Sequence, residues 1–298
     1  MSEDLHEQRW LVGLDLRPHS HGAINFARWL AARDQAGSMR LDGLHVIPEH
    51  LLELPTAPAR AQLVGNAERA TRATLEARGA DEAFRSLEIV ISHEVVDTLA
   101  AAGELPICAG LIIGRRSAGE DPLSIVQLGK VARRLLRRLS APTFVVPADL
   151  ELAHIGRGPI VCAVTLDDAG VTLARYAESF AALCGCELRL VHVVSGGDPV
   201  GLQYLPAAAW DDLHARERDA SSQALKAWRD AAGLSAATAL VQGRVVPKLI
   251  SAARELDACM ILTGSRRLSL AERVWMSSVS SGLAAASHLP VGVVPNVS

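Results

Sequence analysis

Short runs of apolar, β-branched residues punctuate the chain, and between them apolar residues recur every three or four positions. Strand-like runs alternating with helical periods predict an α/β fold, a parallel sheet with helices on both faces. In the first half the pattern predicts strands near 10–15, 41–47, 87–92, 110–114 and 142–146, and helices near 21–35, 58–78, 95–103 and 124–139. In the second half strands are expected near 159–165, 187–194, 237–241, 259–263 and 290–294. A long helix there carries Trp210, Leu213, Ala220, Ala224, Leu225 and Trp228 at spacings that predict one buried stripe, interrupted by Glu217.

The pattern is written twice. "WLVGLDL" from Trp10, "FARWLA" from Phe26, "GLHVI" around His45, "AGLIIGRR" ending after Gly114 and "APTFVVP" around Pro142 each have a counterpart about 150 residues later, in the same order. Those counterparts are "IVCAVTL", "LARYAE", "LVHVV", "ACMILTGSRR" and "LPVGVVP". The expectation is two tandem doubly wound (Rossmann-like) domains, 1–148 and 157–298, each a five-stranded parallel sheet in order 3-2-1-4-5, joined by the linker "PADLELAHIGRG". In such a sheet ligands sit at the carboxyl ends of the strands where the order reverses, here between the first and fourth. Asp15 and Gly114 end those two strands in the first half. The fifth strands, "TFVV" and "VGVV", are uncharged edges that invite pairing, within the chain or in a homodimer.

Bulk properties narrow the function classes. The chain has 298 residues, 49% of them hydrophobic and 21% charged, and a formal charge of -3, so no basic excess points to nucleic acid. No apolar run approaches the ~18 residues of a membrane span, and "MSEDLHEQRW" lacks the features of a signal peptide, so a cytoplasmic location is expected. Five cysteines in apolar surroundings suit buried reduced thiols, with the "CGC" at Cys184–Cys186 a weak signal for a redox pair or metal fragment.

"GRRSAGED" has the glycine spacing of a phosphate loop, but Glu120 and Asp121 stand where Lys and Ser or Thr are needed. Taken with "VGLDL" and "LHVI", the stretch instead resembles the universal stress protein family in its tandem form, along nearly the whole chain. In ATP-binding members the signature runs Gly, two residues, Gly, nine residues, Gly, then Ser or Thr. Here Gly114, Gly119 and Gly129 keep the nine-residue interval, widen the first to four and put Lys130 in the last position. The resemblance implies an ATP site in the first half at Gly13, Asp15, Val46, Ile113, Gly114, Gly119, Gly129, Lys130 and Val131. Asp15 would bond the base or ribose, Val46 and Ile113 would pack on adenine, and the rest would surround the phosphates. In the second half Gly264, Ser277 and Ser278 occupy motif positions, while Arg267 replaces a glycine and Thr165 the aspartate, so the first half is the better nucleotide candidate.

The remaining candidates divide between chemistry and support. Arg115, Arg116, Arg266 and Arg267 either steer a triphosphate or are solvated loop arginines. His45 and His192 are expected as satisfied core histidines. Lys130, Arg133, Arg134, Arg137 and Arg138 form a basic helix face, either a solvated surface or a dock for an acidic protein partner. No nucleophile-and-base pair or metal cluster supports efficient catalysis, so a weak ATPase is the most that is expected; Glu120 and Asp121 are the candidates for Mg2+. The expectation is a stress-response protein binding ATP or a related adenine nucleotide as sensor or adaptor. The alternative is a scaffold without nucleotide, or a protein holding an apolar ligand between its domains.

Overall fold

Ten strands hydrogen-bond into one sheet in the computed structural model, in the order β3-β2-β1-β4-β5-β10-β9-β6-β7-β8. The structure describes residues 8–34, 37–54, 58–115, 128–194, 207–265 and 279–295, with only the backbone of 207–213. The first half supplies β1 (Gln8–Leu14), α1 (His21–Arg33), β2 (Met39–Pro48), α2 (Arg60–Ala77), β3 (Phe84–Ser92), α3 (Val95–Gly103), β4 (Cys108–Arg115), α4 (Lys130–Arg137) and β5 (Thr143–Pro147). The second supplies β6 (Ile160–Ala163), α5 (Asp168–Cys184), β7 (Leu188–Val194), α6 (Ala207–Ala231), β8 (Ala237–Gln242), α7 (Val245–Glu255), β9 (Met260–Ser265), α8 (Val279–Ala286) and β10 (Val291–Pro295). Each half has the expected 3-2-1-4-5 order, with every internal pairing parallel.

The halves meet where β5 and β10 pair antiparallel, Phe144 opposite Gly292 and Val145 opposite Val291. Two unprotected edges thereby become interior strands, and the expected pairing of fifth strands occurs inside one chain. Both sheet faces carry apolar cores that cross this seam. On the side of α1, α2, α5 and α6 one cluster joins Trp10, Phe26, Phe144, Phe180, Leu190 and Leu225. On the side of α3, α4, α7 and α8 the other joins Leu99, Leu135, Val145, Leu249, Leu283 and Val291. Trp10 and Phe144 from the first half lie 5.7 and 5.3 Å from the Phe180 ring of the second.

Polar contacts fix the linker against the first half. The buried Asn25 amide donates to the Leu150 carbonyl (2.8 Å) and to Glu151 (3.1 Å), and Arg78 pairs with Glu151 at 3.1 Å. One detail of the sequence pattern is corrected in α6: Leu225 is buried and Trp228 partly so, but Ala220 and Ala224 face solvent. Leu225 and Trp228 join the core cluster on the α5 side, where the Trp228 indole donates to the Asp167 carbonyl at 3.4 Å, and the side chains of Trp210 and Leu213 lie outside the described residues. Small alanine side chains gain little from burial and do not set the helix rotation.

Candidate functional site

Strand register brings the candidate residues of the first half to one end of the sheet. β1 lies between β2 and β4, and Gly13 is opposite Ile113, so Leu14–Asp15 and Gly114–Arg115 lie side by side at the carboxyl ends of their strands. Helices departing to opposite faces at this reversal of strand order leave a crevice. Asp15 is exposed at its mouth. Its Oδ1 accepts from the Ser20 hydroxyl (2.9 Å) and from the Arg17 N–H (3.0 Å), and the Ser20 oxygen accepts from the Asp15 N–H at 2.7 Å. The carboxylate therefore organises the turn into α1 without bonding the helix N-terminus itself.

Each glycine here has its own physical reason. A Cβ on Gly114 would lie 1.9 Å from the His19 carbonyl oxygen, so this position is glycine because the turn after β1 crosses it. Gly129 has open space around its Cβ direction and caps α4 at its N-terminus. Lys130 and Val131 follow it, both exposed, at the positive end of the helix dipole. Val46 and Ile113 are buried in the core cluster beneath α3 and α4, beside Val96 and Leu99. Gly119, the Arg116 side of the loop, Glu120 and Asp121 lie outside the described residues, as do Arg266, Arg267, Ser277 and Ser278. In the second half Gly264 ends β9, and Thr165 donates to Asp167 (2.6 Å), which caps α5 by accepting from the Gly170 N–H at 2.8 Å.

The family model described as "Universal stress protein family" matches residues 156–295. A universal stress protein of Mycolicibacterium smegmatis is 24% identical over 295 residues, which cover 95% of this chain and 96% of that protein. The second half of the chain thus matches the family model, and the chain as a whole is similar to universal stress proteins. A universal stress protein of Mycobacterium tuberculosis is also 24% identical, across 94% of this chain and 93% of its own length. Among solved structures, a universal stress protein from Archaeoglobus fulgidus DSM 4304 covers 98% of this chain and 99% of its own, at 19% identity and a TM-score of 0.65, a likeness of fold.

Within this chain the repeated sequence blocks have separate physical roles. His45 is a satisfied core histidine and His192 a partly buried one: each ring Nδ1 lies 2.9 Å from a first-strand carbonyl, that of Leu14 or of Val164. Arg115 is not a solvated loop arginine. It is buried and donates to the Ser287 carbonyl across the seam, and desolvation pulls its pKa down, with Asp149 opposing. The basic face of α4 is partly neutralised, since Arg134 pairs with Glu94 at 3.0 Å and Arg138 with Asp97, both carboxylates on or before α3. Among the described residues, no group of three or more His, Cys, Asp or Glu side chains is placed to hold a metal ion. Among the described residues, no helix is long and apolar enough to cross a membrane.

Periodicity gave no sign of Ser20 as partner to Asp15, or of the Arg115–Ser287 bond. The first pairing depends on turn geometry and the second joins residues in different halves. A further site was also hidden. Gln8, Trp10, Pro106, Ile107 and Ala109 of the first half and Tyr176, Ser179, Phe180 and Leu183 of α5 line an open cavity of about 910 Å³.

Proposed function

We propose that this protein is a stress-response sensor or adaptor that binds ATP or a related adenine nucleotide in the first half, with weak hydrolysis at most, in the cytoplasm. The observation that carries the reading is the adjacency of the β1 and β4 carboxyl ends, where exposed Asp15 lies beside Gly114. The N-terminus of α4 at Gly129–Lys130, with no described neighbour against the Gly129 Cβ direction, supplies backbone N–H groups and a cation suited to phosphate. Val46 and Ile113 would form the apolar floor under adenine. Gly13 allows the Ile113 side chain to lie close against β1, with a Cβ position only 3.2 Å from it. Gly119 would complete the loop, and Glu120 and Asp121 would hold Mg2+ with the triphosphate. Residues 1–148 and 157–298 act in this reading as two domain copies, with Gly264, Ser277 and Ser278 forming the lesser site. Lys130, Arg133 and Arg137 would dock an acidic partner, and a homodimer would bring two such faces together.

Purified protein is denatured, any released nucleotide is identified by mass, and ATP is titrated into the emptied protein while the melting temperature is followed. Binding raises it by mass action, about 2.7 kcal/mol of stabilisation at a ligand concentration of about 100 Kd. Gly129→Leu meets no described neighbour, so it should leave the ligand-free protein folded and abolish the shift, while Gly264→Leu should matter less. No nucleotide and no shift at roughly millimolar ATP would remove the reading.

One observation favours the alternative of an apolar ligand between the halves. The Trp10 Nε1 and Tyr176 hydroxyl are buried without a hydrogen-bond partner among the described residues, and both residues line the cavity between α5 and the first half. Its volume suits a small aromatic or aliphatic molecule bearing one acceptor for the indole N–H. Quenching of tryptophan fluorescence by such a compound, lost in Trp10→Phe, would support it.

A further inference from the structure

Three cysteines converge in the second half at the edge of the seam. Gly185 takes a left-handed turn (φ 59°) at the end of α5, which places Cys184 and Cys186 on either side of it just before β7. Cys259 precedes β9, two strands away across β6, and its thiol lies close enough to Cys186 for each to bias the other's ionisation. The third partner comes from the other half. Arg33, the last residue of α1, has its Nη1 3.6 Å from the Cys186 Sγ, and its guanidinium lies over the Trp29 ring at 5.0 Å. The ring-supported cation favours the ionised sulfur, while the protonated thiol donates to the Cys184 carbonyl at 3.5 Å.

We propose that Cys186 is a reactive thiolate held by Arg33 and the Cys259 thiol, and that it is the site at which hydroperoxides oxidise this protein. The sulfur attacks the outer peroxide oxygen, the O–O bond breaks, and the alkoxide or hydroxide leaves and takes a proton from water. Sulfur loses two electrons and becomes a sulfenic acid, while the peroxide is reduced to alcohol or water.

The other thiols provide the contrast. Cys162 and Cys184 are fully enclosed, and burial pushes both up, Cys184 to about 12. Cys259 is also buried, and its bond to Cys186 holds its proton on. Cys108 is half-buried like Cys186, but burial pushes its thiol up. For Cys186 the Cys259 hydrogen bond pulls the thiol down, burial opposes it, and Arg33 adds to the pull. The other charge nearby is Asp34, which follows Arg33 and acts against ionisation of Cys184.

The test uses the full-length reduced protein with a limiting amount of iodoacetamide near neutral pH, followed by peptide mapping. Cys186 should be alkylated about tenfold faster than Cys108, its half-buried internal control. tert-Butyl hydroperoxide with dimedone should place the sulfenic-acid adduct on the Cys186 peptide. Arg33→Gln and Cys259→Ala should each slow alkylation and move its pH midpoint upward, and Cys259→Ser, which restores a donor, should recover most of the rate. If a variant fails to fold, the order of Cys186 and Cys108 in the unaltered protein still decides. Equal rates for those two cysteines, or a dimedone adduct on another peptide, would overturn the proposal. Both measurements are independent of nucleotide.

Discussion

Phe144→Ala tests whether the two halves share their stability. The Phe144 ring is fully buried on β5 beside the antiparallel seam. It lies 5.4 Å from Trp10 and 5.6 Å from Phe26 in its own half, and 5.3 Å from Phe180 in the other. Truncating a buried phenylalanine costs about 3–5 kcal/mol from lost transfer energy and the cavity left behind. Tilted aromatic contacts each add about 0.5–1.5 kcal/mol beyond area, which places this site near the upper end, roughly 4–5 kcal/mol. Surrounding strands are held in register on both sides, so collapse around the gap is limited. Urea unfolding followed by both tryptophan fluorescence and far-ultraviolet circular dichroism should show one transition. Its midpoint should move down by about 1.5 M for a slope of ~3 kcal/mol/M, the upper end for small proteins. Two transitions, of which only one moves, would refute the shared core and make the halves independent folding units.

Other outcomes follow from single contacts. Gly114→Ala should destabilise the protein by about 1–3 kcal/mol with or without nucleotide, read by thermal melting, because its methyl meets the His19 carbonyl; an unchanged melting temperature would put the crossing in the wrong place. Asp42 is buried and bonded to Arg9 (2.7 Å), Arg40 (2.9 Å) and Ser86 (2.7 Å). Burial pushes its pKa up, but the hydrogen bonds from Ser86, Arg40 and Arg9 outweigh that and hold it below the usual 3.8. Its contribution is therefore fully present above the unfolded value and lost as pH falls through the lower folded one. Asp42→Asn should cost about 3 kcal/mol near neutral pH and flatten the loss of stability below about pH 4 in acid-titrated melts. Arg115→Met should leave the Ser287 carbonyl without that donor and cost about 1–3 kcal/mol in the same urea assay.

Strand and helix positions were legible because the buried face of each element repeats at its own period, and the repeat of whole blocks supplied the strand order twice. The motif glycines were legible too, as a spacing, but not their reasons. Gly114 accommodates the carbonyl of His19, and Gly129 stands in open space, a difference that no spacing encodes. The charges of α4 looked uniform in sequence, yet Arg134 and Arg138 are engaged by α3 while Lys130 remains exposed. Arg115 could be read either as a phosphate ligand or as a solvated residue until its partner in the other half was located.

Sequence alone determined the α/β class, the duplication and the point where the strand order reverses, because these depend on local periods and on chain connectivity. Tertiary structure decided how the copies join: β5 meets β10 antiparallel, aromatic side chains from both halves fill one core, and Arg33 reaches Cys186. Those contacts join residues far apart in the chain, and their energies come from burial and directed hydrogen bonds that exist only once the two copies are packed.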